Sequence, residues 1–145
     1  MALFSIFFVM TKVAVGILRM NGKILACQRK RGSKYELKWE FPGGKVEPGE
    51  TFAQCIEREL FEELSIRVTR IEEIEIQQSH YNDGGLYEVA YCTITEFKGN
   101  LRNNVFELVK WVTPAELAQL DSLEGNAAIV RKLAGQNATA DAKNR

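Results

Sequence analysis

At 145 residues the chain suits one domain with a single substantial core, and its apolar and charged fractions are those of an ordinary soluble globular protein. Lys and Arg number 19, as do Asp and Glu, so no overall field draws the chain to nucleic acid or to a membrane, and neither is expected as a partner. Cys27, Cys55 and Cys92 form no Cys-x-x-Cys pair and His80 is the only histidine, which excludes disulfide frameworks, zinc ribbons and sites built on two imidazoles.

Residues 1–10 open with an apolar run, Leu3 to Val9, that lacks a basic flank and is too short to span a bilayer. It reads either as an N-terminal extension or as a segment upstream of a start at Met10. Both readings favour a cytoplasmic protein. Val13 to Leu18 and Ile24 to Gln28 are strand-like runs around Asn21-Gly22, a pair that tolerates positive φ and signals a hairpin. Lys30 to Lys38 is a charged loop, and Trp39 to Val46 is extended but broken by Pro42-Gly43-Gly44. Thr51 to Leu64 reads as a helix, with Thr51 as cap, Gln54 completing a capping box, and Phe52, Ala53, Ile56, Leu60 and Leu64 as the apolar stripe.

Strands are expected at about Ile71 to Gln78, Leu86 to Phe97 and, after the turn at Lys98-Gly99-Asn100, Phe106 to Val112. Thr113-Pro114 opens a short helix, and a last one is expected from Asn126 to Leu133. The tail, residues 135–145, is small and polar and is expected to be disordered. No repeat or second domain is visible, which leaves 11–134 as one domain. The order of elements gives the α+β class, a mixed sheet with helices packed on its faces.

The chemistry concentrates on the helix after the glycines. Glu59 lies one turn before Glu63 and three positions before Glu62, and like charges at that spacing repel. Arg58 can pair with Glu62, which leaves Glu59 and Glu63 in need of a partner. At roughly 100° per residue these two fall within about 40° of each other, beside Phe52 and Ile56 at the edge of the apolar stripe. A Glu-rich solvated face would lie opposite that stripe. Carboxylates bordering it are costly unless a cation compensates, and all-oxygen ligation points to a hard cation, magnesium or manganese.

From Gly44 through Glu50, Arg58-Glu59-Leu60, Glu62-Glu63 and Ile66, the segment matches G-x5-E-x7-R-E-U-x-E-E-x-G-U, with U a bulky aliphatic, at every specified position but one. The chain thereby resembles the Nudix hydrolases. The departure is Ser65 for the glycine that ends the helix, where positive φ costs a serine about 1 kcal/mol. No ligand is lost with it, so weaker packing is expected rather than lost activity. Lys12-Val-Ala-Val-Gly-Ile, Trp39-Glu-Phe-Pro-Gly-Gly-Lys and Leu123-Glu-Gly-Asn126 extend the likeness toward the MutT branch, over nearly all of Thr11 to Leu133.

That resemblance implies a Nudix-like α/β/α sandwich and Mg2+, replaceable by Mn2+, held by Glu59, Glu62, Glu63 and the carbonyl of Gly43. Glu50 and Arg58 would orient those carboxylates, with Gly44 beside them. Arg29 would face the phosphates, although an exposed strand-end charge reads equally well. Phe41 would wall the base pocket, or serve as an ordinary core aromatic. Asn126 would read a purine edge, although asparagine at a helix start is more often only a cap. The family also takes a carboxylate from a loop near the last strand, for which Glu107 is the nearest candidate, at a spacing from Trp111 that departs from the MutT pattern.

The implied reaction is attack by water on a nucleoside triphosphate to give nucleoside monophosphate and pyrophosphate, with Glu59 as proton acceptor. An oxidised purine, 8-oxo-dGTP, is the expected substrate, in the service of nucleotide-pool sanitation. Pyrimidine triphosphates such as CTP, dinucleoside polyphosphates and nucleotide sugars are the alternatives within the family. A non-catalytic nucleotide sensor or protein-binding module is the alternative outside it, although such domains lose box glutamates and this chain keeps all four. Monomer and homodimer are both compatible with the sequence.

Overall fold

Asn21 and Gly22 adopt φ of 53° and 75°, the left-handed pair that a tight hairpin requires. They join β1 (Met10–Met20) to β2 (Lys23–Gln28), with Arg19 opposite Ile24. The computed structural model describes residues 10–80 and 85–143, so the apolar run before Met10 lies outside the described residues.

After the loop come β3 (Trp39–Glu40) and β4 (Gly43–Lys45), two short strands separated by Pro42. Then follow α1 (Phe52–Leu64), β5 (Arg67–His80), β6 (Leu86–Lys98), β7 (Leu108–Val112) and α2 (Pro114–Gln119). A 3-10 turn at Glu124–Asn126 leads into α3 (Ala127–Lys143). The strands run in the order β3-β2-β1-β6-β5, with β4 also on β1 and β7 also on β2. β1 and β6 are parallel and the other named pairs antiparallel. The sheet is therefore mixed.

Alternation along β1 divides the interior in two. Ala14 and Leu18 point into one cluster with Cys55, Ile56, Leu60 and Leu64 of α1. Ile17, flanked by Val13 and Val15, points into the other, with Trp39, Phe41, Leu117 of α2 and Ile129, Val130 and Leu133 of α3. Helices thus cover both faces, and the α/β/α sandwich is borne out. Gly16 lets α1 approach closely, since a Cβ there would stand 3.2 Å from Ile56 and 3.4 Å from Leu60. All three cysteines are buried and free, acting as small core residues. No described helix is long and apolar enough to cross a membrane.

Among the boundaries that differ from the sequence pattern, three have a local cause. β5 begins at Arg67 rather than near Ile71, because register shifts between Val68 and Glu73 break the alternation that would have revealed it. The last strand begins at Leu108 rather than Phe106. Phe106 is held in a turn by Asn103, whose side chain accepts from the Phe106 N–H at 2.7 Å and donates to the Phe106 carbonyl at 2.8 Å. The tail expected to be disordered from residue 135 instead continues α3 to Lys143. Its alanines are strong helix formers whose propensity carries the helix past the end of the apolar pattern.

Candidate active site

Thr51 caps α1 and forms the capping box with Gln54, the Thr51 oxygen accepting from the Gln54 N–H at 3.1 Å and the Gln54 side chain from the Thr51 N–H at 2.9 Å. This fixes where the helix begins, and so which residues face the Gly43–Gly44 strand.

Arg58 is the hub of the site. Its Nε and Nη2 donate to the two oxygens of Glu50 at 2.8 and 3.0 Å, a forked pairing suited to a guanidinium. Nη1 donates to Glu59 at 2.9 Å and to Glu62 at 3.3 Å, and Nη2 also reaches the Lys45 carbonyl at 3.2 Å. The fork and the Glu47 N–H hold the Glu50 carboxyl down at about 2, and the surrounding carboxylates raise the proton affinity of Arg58. The sequence suggested Arg58 with Glu62. The structure adds Glu50 and Glu59 at shorter range.

Glu63 stands against the Gly43 backbone. It accepts the Gly43 N–H at 2.9 Å, but burial pushes its carboxyl up to about 8, with Glu59, Glu40 and Glu62 adding repulsion. Burial likewise raises Glu59, against the opposing pull of Arg58. Space is tight at both glycines, against backbone at Gly43 and against the Glu59 side chain at Gly44. A Cβ on Gly43 would stand 2.1 Å from the Ala14 carbonyl oxygen, and one on Gly44 2.4 Å from Glu59 Oε1. Gly44→Ala is therefore expected to fold, because Glu59 is the end of a flexible side chain, yet to displace that carboxylate and cut turnover about tenfold or more. Turnover measured alongside a melting curve would check this, and full activity would contradict it.

These residues fit a hard dication. The donor set is all oxygen, the glycines leave the carboxylates room at the strand, and the half-buried Glu63 is held back from ionising by desolvation and by Glu59, Glu40 and Glu62, a cost that a cation would relieve. Among the described residues no group of three potential ligands already stands in closed geometry. Glu62, at 56% side-chain exposure, is free to leave Arg58 and complete the set, whereas Glu59 at 15% is not.

Arg29 and Glu63 line one shallow hollow of about 270 Å³ with Lys30, Ser33, Glu40, Val105 and Phe106. Arg29 is held there by Glu40 at 3.2 Å and by the Lys34 carbonyl at 2.7 Å. Two cationic residues beside the carboxylates suit a polyphosphate. Glu107 does not join them. It is exposed, its carboxylate accepts the Arg31 N–H at 3.4 Å, and the loop instead presents Val105 to the hollow. The turn closed by Asn103 thus places Val105, rather than Glu107, on the lining of this hollow.

Phe41 and Asn126 belong to the opposite face of the sheet. Phe41 is buried in the cluster that contains Ile129 and Val130, and Asn126 lies just before them at the start of α3. Sequence reasoning missed Glu40, which pairs across β2–β3 with Cys27 and faces Glu63. Only the alternation Trp39-in, Glu40-out, Phe41-in hinted at it.

With this geometry in place, the family model for the NUDIX domain matches residues 10–133. The chain is a NUDIX-family protein. Similar curated relatives include a CTP pyrophosphohydrolase of Escherichia coli, 36% identical over 110 residues that cover 76% of this chain and 81% of the relative. An 8-oxo-dGTP diphosphatase of Buchnera aphidicola is 30% identical over 124 residues, covering 85% and 92%. Among solved structures, the ORF135 protein of E. coli superposes with a TM-score of 0.75 at 32% identity, covering 84% of this chain and 86% of the other. A MutT structure from work on Aliivibrio salmonicida and Vibrio cholerae gives 0.72 at 29%, covering 88% and 99%. The NUDIX chain is a hydrolase of the MutT type, and it acts on small nucleotide substrates with the divalent metal such enzymes require.

Proposed function

We propose that this NUDIX hydrolase cleaves a nucleoside triphosphate to its monophosphate and pyrophosphate, with 8-oxo-dGTP as the preferred substrate and Mg2+ as the metal. The observation that carries the reading is the half-buried Glu63 carboxylate against Gly43, flanked by Glu59 and the Arg58 network. Glu59, Glu62, Glu63 and the Gly43 carbonyl would hold the ion, and Mn2+ would substitute. Once bound, the metal neutralises charge on the phosphates and makes the attacking water more acidic.

The remaining work falls to the chain. Arg58 keeps one oxygen of Glu59 in place, and Glu59, whose proton affinity burial raises, takes the proton from the attacking water as the phosphoanhydride bond breaks. Arg29 and Lys30 orient the phosphates in the hollow they line. Phe41 and Asn126 would choose the base on the other face.

A second reading, CTP as substrate, is favoured by the 36% identity to the CTP pyrophosphohydrolase. Pyrophosphate release followed with Mg2+ across 8-oxo-dGTP, dGTP, CTP, a dinucleoside polyphosphate and a nucleotide sugar separates these readings. The highest kcat/KM is expected for 8-oxo-dGTP. A preference for CTP would replace the first reading by the second. Asn126→Ala is expected to raise KM for 8-oxo-dGTP about tenfold and to leave KM for CTP nearly unchanged, as loss of one base-reading hydrogen bond implies. Equal effects on both would remove Asn126 from base recognition.

A further inference from the structure

The end of α1 is fastened in an unusual way. The last carbonyls of a helix have no partners within it, and here one loop takes three of them in order. The Asn104 side chain donates to the Glu62 carbonyl at 3.0 Å, the Asn104 N–H to the Glu63 carbonyl at 3.0 Å, and the Arg102 N–H to the Leu64 carbonyl at 2.8 Å. The Asn104 amide also donates to Ser65 Oγ at 2.9 Å. Ser65 stands at φ 58°, the left-handed position that closes the helix through its N–H to the Phe61 carbonyl. That conformation is unfavourable for a serine, and a hydrogen bond of ordinary strength offsets the cost. The serine that departs from the box is thus the acceptor of a bond a glycine could not make.

The same loop is closed on itself by Asn103 and Phe106, and it sets Val105 and Phe106 beside Glu63 in the hollow. One clamp therefore holds the backbone of Glu62 and Glu63 and the wall facing them.

We propose that Asn104, with Ser65 as its partner, is a positioning residue that fixes the carboxylates of Glu62 and Glu63. The metal-binding consequence rests on the function proposed above, whereas the positioning itself does not. In metal-free protein the Gly43 amide reports it directly, because that N–H is bonded to Glu63. Asn104→Ala is expected to speed Gly43 amide exchange about tenfold while the central-strand amides of Ala90 and Ile94 keep native rates. Asn104→Asp keeps the side chain's size but cannot donate to the Glu62 carbonyl, so it should behave alike, and it serves where the alanine variant does not fold. Ser65→Gly in the Asn104→Ala background should add little to the exchange.

Mn2+ binding read by electron paramagnetic resonance should weaken about tenfold in the same Asn104 variants, the scale expected when a group behind a ligand is lost. Native Gly43 exchange in folded Asn104→Ala and Asn104→Asp would overturn the positioning role. Mn2+ binding that ignores Glu63→Gln would instead remove the metal-site reading, and Gly43 exchange would still decide the role of Asn104.

Discussion

Glu63→Gln is expected to lower pyrophosphate release about a thousandfold, roughly 4 kcal/mol of transition-state stabilisation. The substitution keeps the size of the side chain and an oxygen for the Gly43 N–H, so the fold should survive and the loss should report the charge alone. A second signature follows from the same carboxyl. Burial, with repulsion from Glu59, Glu40 and Glu62, raises it from 4.5 to about 8 in the metal-free protein. The folded chain then binds a proton that the unfolded chain has released, so metal-free stability falls as pH rises from 4.5 toward 8. Added Mg2+ should flatten that slope by displacing the proton. Melting temperatures in chelator across this range should decline in the native chain and decline less steeply in Glu63→Gln, where Glu59 and Glu40, also raised by burial, still titrate. Parallel curves would show that Glu63 is not the titrating group.

Arg58→Ala should have the second largest effect, a fall in kcat of about a hundredfold. It removes the fork on Glu50 and the bonds to Glu59 and Glu62 together, leaving carboxylates that repel one another. Arg58→Lys keeps the charge but cannot fork, so it should recover only part of the loss. If lysine restored full activity, charge balance alone would explain Arg58. Mg2+ titrations should show weaker metal activation in both variants, because the three glutamates no longer share one anchor.

Much of this site was legible because it is local in sequence. Arg58, Glu59, Glu62 and Glu63 share one helix, and the capping box fixed its start, so spacing translated directly into direction. Alternation similarly exposed most of β6 and the first hairpin. What stayed hidden depended on partners far along the chain. Glu40 faces Glu63 only because β3 pairs with β2 at Cys27. Asn104 meets Ser65 across 39 positions, so the serine read alone looked like a defect. The setting of Glu107 depends likewise on distant contacts, since the turn between Asn103 and Phe106 lets its carboxylate accept the Arg31 N–H while Val105 lines the hollow. The length of α3 was hidden differently, because alanine favours helix without leaving an apolar period to read.

The sheet presents α1 and its carboxylates on one side and the Phe41 cluster with α3 on the other, joined through alternate residues of β1. Such a plan lets the two sides of the sheet be altered separately. Substitutions at Val13, Val15 or along α3 can reshape one side while Ala14, Gly16 and Leu18 continue to seat the helix on the other. Under the base-reading role proposed for Asn126, a laboratory search for altered substrate choice in this chain should begin on the α3 side, on the face away from the carboxylates of α1.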